Sequence, residues 1–303
     1  PVGLHHEIAL AALSAGKHVL IEKPLAISVR TGRAIADAAT ERGLVAGVAE
    51  NVRYSARTRA LRWALDENLI GTTQVWLSGG IGGEWAPDAI VAHTACRHRK
   101  LAGGGGPALD HGVHLMHQMR YLMGPVDEVS ALTKTLESVR REHGTDQTVR
   151  NELEDLYLAQ FRFASGAIGT AFSGWGGHGE RSGLDASPII YGSAGCIKGD
   201  AILGDGGAIG SATQLLSEKA PALRDKLFPH GLTDGFGLEM LDFLTAIATG
   251  SQMEASAGEG VTDLAMAYAI LESSLARGPV RVDDVWRGTV AGYQAEIDEY
   301  YKS

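Results

Sequence analysis

Ala15-Gly16-Lys17-His18-Val19-Leu20-Ile21-Glu22-Lys23-Pro24 is the stretch that decides the fold. Upstream of it, Leu4, Ile8, Ala11, Ala12 and Ala15 recur at helical spacing, and Gly16 stops that helix. His18 to Ile21 is a short, largely apolar run of the kind that forms a strand buried on both faces, and a charged pair follows it at once. Downstream, Ser28 caps a second helix with Ile35, Ala38 and Ala39 turned inward, Gly43 ends it, and Leu44 to Ala49 is another continuous apolar strand. Helix, strand, helix, strand implies parallel pairing.

Beyond residue 49 the texture changes. One more amphipathic helix carries Leu61, Ala64, Leu65 and Leu69 on one face, with Gly71 as its stop. Strands are then expected near 73–81, 126–136, 155–163, 167–175, 188–192 and 195–199, with hairpin turns at Ala164-Ser165-Gly166 and Gly192-Ser193-Ala194-Gly195. Helices are expected at about 109–123, 235–249, 259–276 and 289–301. The fold class is therefore α/β joined to α+β: a Rossmann-type parallel sheet over 1–49, then a unit over 50–303 with a large, mostly antiparallel sheet flanked by helices.

Composition narrows the function. The 303 residues are 45% hydrophobic and 21% charged, near globular averages, so bulk disorder is excluded. Lys plus Arg number 27 against 36 Asp plus Glu, a net charge of -9, which disfavours nucleic acid and anionic membrane as partners. Cys96 and Cys196 stand alone without a C-x-x-C, so neither a disulfide framework nor a thiolate zinc site is encoded, and a reducing cytoplasm is the expected compartment. No segment approaches 18 uninterrupted apolar residues. Glycine supplies 40 residues, about twice the usual ~7% share, which implies many tight turns.

Two constellations could carry chemistry. Glu22-Lys23-Pro24 stands where a buried parallel strand ends, and ligands of open parallel sheets bind beyond the carboxyl ends of their strands. Pro24 stiffens the turn that aims Lys23. The plainer alternative is a surface pair flanking a turn. The second constellation is Gly103-Gly104-Gly105-Gly106-Pro107-Ala108-Leu109-Asp110-His111-Gly112-Val113-His114. Its glycines permit close approach of backbone to a ligand, and Asp110 and His114 share one face if the helix has already begun. A carboxylate and an imidazole in one pocket suit proton transfer at neutral pH. Asp110 as an N-cap and His114 as a satisfied core histidine remain the alternatives. His111, His114 and His117 recur every three residues, but that period drifts around a helix and no acidic cluster completes a shell, so no metal is expected. Gly174-Trp175-Gly176-Gly177-His178-Gly179 matches G-x-G-x-x-G, yet Glu180-Arg181-Ser182-Gly183 and Ser187-Pro188 follow instead of an amphipathic helix, so it reads as a loop.

The order of these motifs resembles the glucose-fructose oxidoreductase and myo-inositol dehydrogenase family (Gfo/Idh/MocA) of nicotinamide-dependent sugar oxidoreductases. Pro1 and His5, then Ala15 through Ala26, look like that family's signature around its active lysine, and Gly103 to His114 is similar to its G-G-G-x-x-x-D-x-G-x-H stretch with one extra glycine. Ile190-Tyr191-Gly192-Ser193-Ala194-Gly195 resembles its sheet hairpin, and Phe243 to Val285 its closing helices. The family opens with a strand, a glycine-rich turn and a helix that hold the cofactor pyrophosphate. Roughly the first 70 residues of that arrangement lie outside this sequence, which implies a truncated form.

The resemblance implies hydride transfer between NAD or NADP and a secondary alcohol of a sugar or cyclitol, with Lys23, Asp110 and His114 as catalytic residues converging on one sugar ring. It implies Pro1, His5, Glu22, Lys23 and Pro24 on the nicotinamide side, and Asn51, Tyr54, Arg97, Asp110 and His114 against the substrate. A non-redox relative that oxidises a sugar transiently before elimination or hydrolysis, and an inactive sugar- or nucleotide-binding remnant, stay open. Tyr157, Ala159, Phe161 and Phe163 alternate along one strand while Leu156 and Leu158 make its other side apolar too, so both sheet faces are expected to be buried in a homo-oligomer, a dimer or tetramer packed sheet to sheet, the alternative being a two-layer monomer with helices over one face and loops over the other.

Overall fold

The computed structural model describes residues 1–82, 89–184 and 187–302. Its first unit is α1 (His5–Ser14), β1 (Val19–Glu22), α2 (Val29–Arg42) and β2 (Ala46–Ala49). β1 and β2 pair in parallel, with Val19 opposite Ala46 and Glu22 opposite Ala49. α2 is bounded as its sequence dictates: the Ser28 hydroxyl accepts from the Thr31 amide in a capping box, and Gly43 closes the helix in the left-handed region at φ 63°.

A helix α3 (Ala56–Asp66) leads into the second unit. It ends at Asp66 rather than running to Gly71, because Asn68 takes a positive φ of 58° and breaks the repeat first. The main elements that follow are β3 (Thr73–Ile81), α4 (Gly112–Met123), β4 (Val126–Lys134), β5 (Leu156–Phe163), β6 (Ile168–Gly174), β7 (Ile189–Gly192), β8 (Gly195–Lys198), β9 (Ala201–Gly204), β10 (Gly207–Ser211), α5 (Gly235–Thr249), α6 (Ala257–Ala276) and β11 (Val280–Arg281). One sheet takes the order β10-β9-β8-β7-β3-β6-β5-β4-β11, antiparallel throughout except where β3 runs parallel to β6. Of the helix expected over 289–301 only Ala295–Tyr300 forms; a separate short helix, Val282–Arg287, precedes it and closes at Gly288 in the left-handed region at φ 78°.

α6 joins the two units. Small residues, Ala265, Ala267 and Ala269, let it be buried nearly all round, and it packs against α2 on one side and β4 on the other. The contact with α2 is close: a Cβ on Gly32 would stand 3.0 Å from Leu264.

The sheet has one covered and one open face. Along β5 the side chains of Tyr157, Ala159, Phe161 and Phe163 are buried beneath the helices, while Leu158 is 46% exposed and Leu156 half-buried. Burial of both faces is therefore not a property of the single chain; strict alternation along the pleat leaves the outer side to solvent. Register places Leu132 opposite Leu158, and Val75 opposite both Ile168 and Tyr191, all on that outer face.

Candidate active site

β1 delivers Glu22 to its carboxyl end, and Lys23 follows into a cleft of about 400 Å³. Pro1, His5, Glu22, Lys23 and Pro24 line one side of it; Arg97, Gly103 and Asp110 line the other. His5 donates from Nδ1 to the Pro24 carbonyl at 2.9 Å, and its burial lowers the imidazole pKa against the partial support of that carbonyl. Lys23 Nζ crosses the cleft to the Asp110 carbonyl oxygen at 2.7 Å and lies 3.4 Å from its carboxylate, a contact between residues 87 apart in sequence. Arg97 donates to the same carboxylate oxygen. Burial alone would raise the Asp110 carboxyl, but the ammonium of Lys23 and the guanidinium of Arg97 outweigh it and hold the group below the ordinary carboxylate range.

The glycine run positions Asp110. Gly106 lies against the backbone of Glu154 so closely that a Cβ would come within 1.9 Å of the Glu154 carbonyl oxygen. The buried Glu154 side chain accepts from the Ala108 amide at 3.1 Å, and burial pushes its carboxyl up to about 7. The turn then closes with the Asp110 amide donating to the Gly106 carbonyl at 2.9 Å. Asp110 precedes the helix instead of sharing a face of it with His114, since α4 begins at Gly112; nor does it cap α4, whose N-cap residue is His111 with no side-chain cap bond.

His114, in the first turn of α4, faces a second cleft of about 470 Å³, lined also by Ser78, Gly80 and Arg181. Asp110 thus lines the first cleft and His114 the second, so the Asp110–His114 segment borders both. The structure brings Lys23, Arg97 and Asp110 together; His114 is paired instead with Glu50, its Nδ1 donating to the Glu50 carboxylate. Glu50 is the residue immediately beyond β2 and is 2% exposed. Sequence reasoning passed over it, although the rule that selected Glu22 at the end of β1 applies equally at the end of β2. Glu239 of α5 was passed over as well. Its side chain is buried with Oε2 lacking a hydrogen-bond partner among the described residues, and burial, reinforced by the charges of Glu22 and Glu50, raises its carboxyl to about 7.

Tyr54 and Asn51 do not occupy the places expected of substrate contacts. Tyr54 is fully buried, its hydroxyl donating to Asp242 at 2.7 Å and accepting from the Ala255 amide at 3.3 Å, so it ties the segment after β2 to α5. Asn51 lines neither cleft and its backbone lies beside Gly235, whereas Val52 stands in the wall of the second cleft. His117 is buried against Asp263 of α6 at 2.7 Å, where Arg120 also donates. Burial favours the neutral Asp263, but His117 and Arg120 reverse the balance and hold its pKa down. Among the described residues no group of His, Cys, Asp or Glu is arranged to hold a metal ion. The G-x-G-x-x-G match is a loop: Gly174 closes β6, the amides of Trp175 and Gly176 donate to the Asp155 carbonyl, and a two-residue strand, Ser182–Gly183, follows. No helix of the structure is long and apolar enough to cross a membrane.

Comparison with known proteins fits this arrangement. Residues 1–50 match the family description "Oxidoreductase family, NAD-binding Rossmann fold", and residues 58–198 match "GFO/IDH/MocA C-terminal domain". The chain belongs to the Gfo/Idh/MocA family. It is 27% identical over 311 residues to levoglucosan dehydrogenase of Pseudarthrobacter phenanthrenivorans, covering 94% of this chain and 79% of that protein. A 1,5-anhydro-D-fructose reductase of Ensifer adhaerens is 28% identical, with 89% and 74% covered. Among solved structures, levoglucosan dehydrogenase in complex with NADH and L-sorbose superposes at a TM-score of 0.78 and 25% identity, covering 94% of this chain and 79% of that one. This Gfo/Idh/MocA member is accordingly an oxidoreductase of the nicotinamide-dependent, sugar-directed kind. Pro1 and His5, well before Glu22-Lys23-Pro24 in sequence, share the wall of one cleft with them.

Proposed function

We propose that the protein transfers a hydride reversibly between NAD(H) and a ring secondary alcohol of a sugar or cyclitol, with Lys23, Asp110 and His114 as its catalytic residues. The observation that carries this reading is the bridge from Lys23 to Asp110 across the cleft that also holds Pro1, His5 and Glu22. Bound nicotinamide supplies the hydride acceptor or donor. The chain supplies aim and charge. Lys23 donates to the reacting oxygen and stabilises negative charge there as the hydroxyl proton leaves. His114 lines the second cleft, so it takes that proton at Nε2 from a sugar ring that reaches over the Asp110–His114 segment, Nδ1 already serving Glu50. Asp110, kept ionised by Lys23 and Arg97, accepts from a neighbouring hydroxyl and fixes the ring. Levoglucosan, 1,5-anhydro-D-fructose and the inositols of the relatives' names share a ring bearing several hydroxyl or carbonyl carbons, which favours this substrate class. NAD(H) is proposed over NADP(H) because the levoglucosan dehydrogenase complexes contain NADH.

The test follows nicotinamide absorbance with NAD or NADP and a panel of levoglucosan, myo-inositol and common hexoses. Lys23→Ala and His114→Ala each lower turnover by about 10² or more while the protein stays folded; wild-type rates in both would remove these roles. We further propose that the outer sheet face is covered by a second copy of the chain. Leu132, 71% exposed, lies beside Leu158 there, an apolar patch of the sort that single chains rarely leave open. Sedimentation as a clean monomer refutes it.

A further inference from the structure

We propose that Glu50 is a positioning residue that holds His114 in its Nδ1-protonated form and so leaves Nε2 bare toward the second cleft. This rests on the reading of His114 as the proton acceptor, but the contact itself is independent of it. Glu50, the first residue after β2, and His114, in the first turn of α4, are 64 residues apart and meet because β2 ends where α4 begins. The carboxylate is almost wholly buried, whereas the imidazole is 30% exposed on its other side. A buried carboxylate can only accept, so the ring must place its hydrogen on Nδ1 and present an acceptor at Nε2. The backbone leaves Glu50 little freedom: its amide donates to the Val48 carbonyl at 2.9 Å, directly beyond the strand.

The surroundings suit a single negative charge at this spot. Burial, reinforced by the charges of Glu22 and Glu50, raises the Glu239 carboxyl on α5 to about 7, so below that pH it is mostly protonated and adds little further negative charge near Glu50. When His114 gains a proton, the imidazolium is in contact with the Glu50 carboxylate, which keeps the ring oriented.

Nitrogen NMR of the ring on this 303-residue chain tests the proposal without substrate or cofactor. The wild-type protein is expected to show His114 protonated at Nδ1 with Nε2 bare. Glu50→Ala should move the hydrogen to Nε2, and Glu50→Asp should restore the original form in part. In the turnover assay, Glu50→Ala is expected to lower kcat by about 10-fold to 100-fold with KM changed by less than about threefold, the scale of a residue that orients another. A wild-type ring carrying its hydrogen on Nε2 overturns the proposal, and that measurement needs no variant to fold. An unchanged tautomer in a folded Glu50→Ala protein overturns it as well. If the tautomer shifts as expected while His114→Ala keeps wild-type turnover, the positioning stands and the catalytic role of His114 falls.

Discussion

Gly106→Ala tests how the glycine run places the acid of the site. The new methyl would lie 1.9 Å from the carbonyl oxygen of Glu154, well inside contact distance, and the obstacle is buried backbone that cannot rotate away. Either the turn or the Glu154 segment must move by more than 1 Å to relieve it. Overpacking of this type costs about 2–3 kcal/mol. At about 2–4 °C per kcal/mol for a chain of this size, Tm should fall by about 4–12 °C. The functional loss should exceed what stability explains, because the Asp110 amide hangs on the Gly106 carbonyl and Asp110 is the partner of Lys23. kcat/KM is expected to drop by about 10². Gly206→Ala is the control: its Cβ meets nothing within 4 Å and its φ is ordinary, so Tm should move by no more than about 2 °C. Scanning calorimetry and steady-state kinetics on both variants decide the matter. A Gly106→Ala protein with wild-type Tm and wild-type kcat/KM would refute the packing account of Asp110 placement.

Asp110, its folded pKa depressed chiefly by Lys23 and Arg97 against the opposing effect of burial, contributes stability that is present above the unfolded carboxylate value near 3.9 and lost as pH falls through the lower folded value. Tm measured from pH 5 down to pH 2 should therefore decline less steeply in Asp110→Asn than in wild type. Glu239 has the opposite sign: its folded pKa is raised to about 7, so it costs stability as pH rises from about 4.3 through 7. Glu239→Gln should melt above wild type at pH 8 and close to it at pH 4; equal Tm differences at both would contradict the burial of an unpaired carboxyl. Tyr54→Phe removes the hydroxyl shared by Asp242 and the Ala255 amide, costing about 1–3 kcal/mol while leaving KM for the sugar unchanged, and a raised KM would return Tyr54 to the binding wall.

Local signals carried far in this chain. Ser28 and Gly43 bound α2 where their chemistry puts them, and the hairpins at 163–167 and 192–195 form at the glycine-bearing turns. The elements over 201–211 were not legible because Gly204, Asp205, Gly206 and Gly207 read as loop, and their strands exist through pairing with a sheet edge already formed. The strand Leu156–Phe163 illustrates the other limit: alternation set which side chains share a face, but not what lies over the outer one.

For the site, the sequence by itself determined which residues end the buried parallel strands and which glycines admit close backbone contact, since both follow from local periodicity and the absence of a Cβ. Lys23 and Asp110 were readable in that way. Only the tertiary structure decided that Asp110 lies outside its helix, that Tyr54 is turned inward to Asp242, and that His114 meets Glu50. Those outcomes depend on where two units joined by α6 bring β2 and α4 together, and no local spacing in the chain encodes a contact made across that junction.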